Sequence, residues 1–126
     1  MAEVIFSSSF DDKHGTETIL NNDKKAFWSS TGLFPQELFI ELQQEKTLTS
    51  LTITSYGIKK FLVESCENDS AVNFAKQGEV ADIPNKEGKL QEFSVELKAG
   101  KPVKILKITV LEGYEDFCCI HYVAFK

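Results

Sequence analysis

Cys119 and His121 are the two residues whose types and spacing come nearest to a reactive pair. A thiol and an imidazole two positions apart on an extended strand share a face, where the ring could take the thiol proton. A working nucleophile also needs a depressed pKa and donors for an oxyanion, and the surrounding residues supply no sign of either. Free cysteine is among the most buried residue types, so Cys118 and Cys119 are expected to pack rather than react. Zinc fits no better, because Cys118, Cys119 and His121 lack a second ligand pair at short spacing and the other histidine, His14, is far away in the chain. The seven glycines are scattered, with no phosphate loop and no nucleophile elbow. The acidic pairs Asp11 with Asp12 and Glu115 with Asp116 lie in polar runs, where solvated carboxylates are the ordinary state.

A different chemistry is suggested by "LNNDKKAFW". Asn21, Asn22 and Asp23 put oxygen-bearing side chains on a short loop ahead of an aromatic anchor, and hard oxygen ligands are what calcium prefers. An asparagine-rich turn explains the same residues, since Asn tolerates the left-handed conformation, and spacing alone favours that reading.

Composition narrows the function classes. The chain has 126 residues and a formal charge of -5, and all 14 of its basic residues are lysine. Nucleic-acid readers depend on basic patches and on the arginine fork, so an acidic, arginine-free chain argues against that class. No apolar run is long enough to span a bilayer, and "MAEVIFSSSF" lacks the basic start of a secretion signal. Three cysteines, two of them adjacent, make a poor disulfide framework, and reduced thiols in the cytoplasm are the expectation.

The elements that must position these residues are written in a period of two. In "LTSLTITSYGIKKFLVES", Leu51 and Ile53 alternate with threonines, a turn is expected at Tyr56 and Gly57, and Phe61 and Val63 alternate with Leu62 and Glu64, which predicts a hairpin. Phe93, Val95 and Leu97 repeat the pattern, as do Leu106, Ile108 and Val110, and "FCCIHYVAFK" reads as a final strand. With strands near 3–8, near 37–43 and around 72–83, the total is about eight short strands. Turn clusters such as "CENDS" and "PNKEG" separate them, and a single all-β domain over 1–126, a sandwich or barrel, is predicted. "GTETILNN" is the one helix-like piece, with Thr16 or Thr18 able to cap a single turn.

"SFDDKHGTETILNNDKKAFWSSTGLFPQELFIEL", residues 9–42, resembles the N-terminal part of the intraflagellar transport protein 25 family. It matches that motif at Asp11, Lys13, His14, Glu17, Ile19, Phe27, Trp28, Thr31, Gly32, Phe34, Pro35, Gln36 and Glu37, and "TGLFPQE" is specific to the subfamily. Beyond residue 42 the likeness is mostly strand pattern, with short matches at Val72 to Phe74 and Gly88 to Gln91.

The resemblance implies a galactose-binding-like, discoidin-type jelly-roll β-sandwich of antiparallel strands. It implies a non-catalytic subunit of the intraflagellar transport B complex, in cytoplasm and cilium, bound to a Rab-like small GTPase, intraflagellar transport protein 27. It also implies a calcium site, from which this chain departs: Asn21 stands where the family has aspartate, Asn22 where it has glycine and Ala26 where it has a hydroxyl residue. Asn21 and Asp23 are then the candidate ligands of a weakened or vestigial site, and no cofactor is required. The alternative function within the same fold is a module binding glycans or lipid headgroups. Loops at one end of such sandwiches carry binding in many relatives, which makes Phe34, Tyr56, Tyr114 and Phe117 candidate contacts, with core or loop packing as their bland alternative.

Overall fold

Alternating residues build two antiparallel sheets whose apolar faces meet. The computed structural model describes residues 2–8, 19–20, 27–30, 33–67, 74–85, 88–98 and 102–126. Its strands are β1 (Ala2–Ser7), β2 (Trp28–Ser29), β3 (Gln36–Thr47), β4 (Ser50–Tyr56), β5 (Ile58–Cys66), β6 (Ala75–Val80), β7 (Gln91–Glu96), β8 (Pro102–Gly113) and β9 (Cys119–Phe125). One sheet runs β1-β3-β8-β5-β6 and the other β2-β9-β4-β7. Every pairing is antiparallel.

The period of two does the work expected of it. Leu38, Ile40 and Leu42 of β3, Leu51 and Ile53 of β4, Phe61 and Val63 of β5, and Leu106, Ile108 and Val110 of β8 all enter one buried cluster, with Trp28 at 0% exposure. Full burial of such an aliphatic side chain stabilises by about 2 kcal/mol relative to leaving it exposed. Phe93 packs against this cluster and meets Phe61 edge-on, with ring centroids 5.3 Å apart.

One expectation is corrected. β4 and β5 do not form a hairpin, because β4 belongs to the four-stranded sheet and β5 to the five-stranded one. A single residue, Gly57, separates them, and its φ of 77° turns the chain from one sheet to the other. Only glycine takes that left-handed conformation without steric cost. Alternation cannot reveal this, since each strand needs one buried face whichever sheet it joins. The expected count of about eight strands holds: the described strands number nine with β2, which is only two residues long. Among the described residues of the segment expected around 72–83, the strand is Ala75–Val80. Thr16 and Thr18 lie outside the described residues, while Ile19 is buried in the core.

The outer face of the five-stranded sheet is partly covered as well. Lys107 is central there, with its Nζ 3.0 Å from Glu37 and 3.9 Å from Glu64. The same Nζ stands 6.0 Å from the Phe39 ring centroid and 5.7 Å from that of Phe74. Phe74 meets Phe39 edge-on at 5.3 Å, and Ile105 and Thr109, on the same strand as Lys107, are buried.

Candidate interaction surface

Gly57 and Gly113 organise one end of the sandwich, and aromatic residues distant in sequence collect around them. A Cβ on Gly113 would collide with the Phe34 ring, so that ring rests directly on the glycine backbone. Tyr114 N–H donates to the Gly57 carbonyl at 3.0 Å, joining the end of β8 to the crossover. Its hydroxyl donates to the Ile83 carbonyl, and Lys59 Nζ stands 5.9 Å from its ring centroid. Tyr56 stacks on Phe117 with centroids 6.1 Å apart and donates its hydroxyl to Glu115 Oε2 at 3.2 Å. The four candidate aromatics Phe34, Tyr56, Tyr114 and Phe117 are therefore brought to one end.

Polar side chains hold the segments that carry these rings. Gln36 Nε2 donates to the Leu33 carbonyl at 2.6 Å, while its Oε1 accepts from Ser8 Oγ at 2.7 Å. Ser8 Oγ accepts in turn from Glu37 N–H at 2.8 Å. Ser30 N–H donates to the Cys118 carbonyl, and Cys118 N–H donates back to Ser30 Oγ, both at 2.9 Å. The described residues of "FWSSTGLFPQE" thus act as a structural strap: Trp28 fills the core, Ser30 clamps the β8–β9 connection, and Gln36 orients Leu33. Leu33 was missed among the sequence candidates, although it is 76% exposed at this end. An apolar residue in a turn-like run next to Phe-Pro was the available signal.

The reactive-pair idea loses its geometry here. In the β4–β9 ladder Ile120 pairs with Ser55 and Tyr122 with Thr54, so His121 is the extra residue of a bulge. A bulge breaks the rule that residues two apart share a face. The His121 ring instead lies against Phe27, with centroids 5.0 Å apart. Burial pushes the Cys118 thiol up to about 12, with the Ser30 hydrogen bond opposing and Cys119 adding to the rise. Burial also raises Cys119, opposed by a hydrogen bond from Ser29. Both shifts run against thiolate formation.

Asn21 and Asp23, with Asn22 and Ala26 beside them, lie outside the described residues. Among the described residues, no group of three or more His, Cys, Asp or Glu is placed to hold a metal. None of the helices is long and apolar enough to cross a membrane, among the described residues.

No protein-family model matches the chain. Over 123 residues it is 29% identical to the human "Intraflagellar transport protein 25 homolog", an alignment that takes in 98% of this chain and 84% of the human one. The Chlamydomonas reinhardtii "Intraflagellar transport protein 25" is 30% identical over 123 residues, covering 96% of this chain and 62% of the longer algal protein. Among solved structures, the family 32 carbohydrate-binding module of C. perfringens NanJ, in complex with galactose, superposes with a TM-score of 0.79 at 16% identity. That superposition covers 99% of this chain and 91% of the module. At such identity the likeness shows the fold alone, a galactose-binding-like jelly roll.

Proposed function

We propose, from the homology of this chain to intraflagellar transport protein 25 over nearly its whole length, that it is a non-catalytic subunit of the intraflagellar transport machinery. It works in the cytoplasm and cilium as one domain spanning 1–126, and its direct partner is a Rab-like small GTPase, with which it forms a heterodimer. The alignment with the curated homologues is the observation that carries this reading. Two further features support it. The pair Cys119 and His121 is split by a bulge and its thiol is held protonated by burial, which disfavours thiol catalysis. The exposed rings at the Gly57 end suit a protein-binding role, since aromatic residues are enriched in interfaces. Calcium, if it binds at Asn21 and Asp23, does so weakly.

Affinity purification of the tagged chain from ciliated cells, with quantitative mass spectrometry, tests the proposal. A Rab-like GTPase near one-to-one with the bait, together with other transport subunits, is the expected result. Recovery of transport subunits with no such GTPase would remove the heterodimer, and recovery of neither would remove the transport role.

A further inference from the structure

The connection from β8 to β9 opens with Tyr114-Glu115-Asp116-Phe117, two carboxylates between two rings, and both rings are 42% exposed. Leu33 joins the same end through Phe34, whose ring rests on Gly113. Among the described residues, neither Glu115 nor Asp116 has a lysine partner, because the ion pairs all lie on the outer sheet face around Lys107 and Glu79. The hydrogen bond from Tyr56 to Glu115 holds one carboxylate beside the ring stack without neutralising it. This end therefore offers apolar area and unpaired negative charge together.

We propose that it docks a segment of a protein partner that presents an apolar side chain flanked by lysine or arginine. The inference rests on the reading of the chain as a transport subunit and names the face and the chemistry through which it would bind. Apolar contact at Leu33 and Phe117 supplies the buried centre, and the carboxylates supply steering and orientation at its rim. An anionic membrane is the wrong occupant, since its headgroups would meet Glu115 and Asp116 as like charges.

The decisive comparison uses the full chain and a purified Rab-like GTPase. Leu33→Ala combined with Phe117→Ala, and separately Glu115→Lys combined with Asp116→Lys, are each expected to weaken binding by about tenfold or more. The charge-reversed protein should also lose the fall in affinity with added salt that the native chain shows. Unchanged thermal melting would establish that the variants fold. Native binding with both variants within about twofold would overturn the docking face and leave the proposed function standing.

If the native chain does not bind the GTPase, the heterodimer falls and the face is decided by peptides. A lysine-flanked Leu-Phe peptide should shift the amide resonances of residues 33, 34 and 114–117, and a glutamate-flanked one should not. Equal shifts, or none, would overturn the inference. So would galactose shifting the same amides, which would assign this end to a glycan.

Discussion

Gln91 holds Ile58 by both of its backbone polar groups. Its Oε1 accepts from the Ile58 N–H at 2.9 Å and its Nε2 donates to the Ile58 carbonyl at 2.7 Å. The same side chain accepts from Ser55 Oγ at 2.9 Å and donates to the Pro84 carbonyl at 3.2 Å. Gln91 belongs to β7 and Ile58 opens β5, so a side chain of one sheet substitutes for ladder bonds where the chain enters the other.

Removing that side chain should be expensive, because it strands buried partners. Gln91→Ala leaves the Ile58 and Ser55 donors unpaired, and a loss of about 3 kcal/mol in urea unfolding is expected. Gln91→Glu should also destabilise at neutral pH, since a carboxylate has no donor for the Ile58 and Pro84 carbonyls. A loss below about 0.5 kcal/mol for Gln91→Ala would mean that the crossover does not depend on this residue.

Cys118 supplies a pH prediction. Its pKa is raised by burial from 9.0 to about 12, so the folded state keeps the proton that the unfolded chain loses. The folded protein thus binds more protons between those values, and stability must fall as pH rises through that window. Below pH 9 the contribution is fully present. Cys118→Ala should remove a slope of about 1.4 kcal/mol per pH unit, measured as the difference between native and variant unfolding curves. In a separate reading of the same burial, an alkylating reagent at pH 8 should leave Cys118 unmodified until denaturant is added. Rapid native labelling, or identical pH profiles, would refute this.

Residue pattern made the strands legible and left their partnerships hidden. Leu51, Ile53, Phe61 and Val63 announce two half-buried strands, yet nothing in their spacing separates a hairpin from a step between sheets. The turn expected at Tyr56 and Gly57 has the two-residue length of a common tight hairpin, and only the structure shows that Tyr56 belongs to β4 and leaves Gly57 alone between the strands. The β9 bulge at His121 was illegible for another reason: the extra residue is defined only against Ser55 and Thr54 on the neighbouring strand. The end surface was half legible. Phe34, Tyr56, Tyr114 and Phe117 stood out as aromatics near turns, but their convergence depends on two glycines 56 positions apart in the chain, Gly57 and Gly113. Gln91 gave no signal, since a glutamine at the start of a strand is ordinarily a solvated residue.

Thr109 is a place where the native sequence is not at its most stable. Its Oγ1 is buried with no hydrogen-bond partner, on a strand where its immediate neighbours Ile108 and Val110 are buried apolar residues. A buried hydroxyl without a partner carries a desolvation penalty that an isosteric methyl avoids. Thr109→Val is expected to raise the unfolding free energy by about 1 kcal/mol, while Thr109→Ser, which keeps the hydroxyl and loses the methyl, should lower it. A destabilised valine variant in denaturant titration would show that the hydroxyl has a polar partner after all.

The loop before Phe27 gives a prediction with an engineered gain. Calcium affinity follows ligand charge and number, and at Asn21, Asn22 and Ala26 the chain lacks the aspartate, glycine and hydroxyl expected from the family resemblance. Isothermal titration of the native chain should therefore show no calcium binding tighter than about 1 µM. Replacing the three together, Asn21→Asp with Asn22→Gly and Ala26→Ser, restores a charge, a turn residue and a hydroxyl, and should tighten binding by about tenfold or more. Thermal melting offers an independent readout, because an ion that binds only the folded chain raises the melting temperature in proportion to the logarithm of its excess over Kd. Submicromolar binding by the native chain would overturn the weakened-site argument, and a triple variant no tighter than native would show that the missing ligands lie elsewhere in the loop.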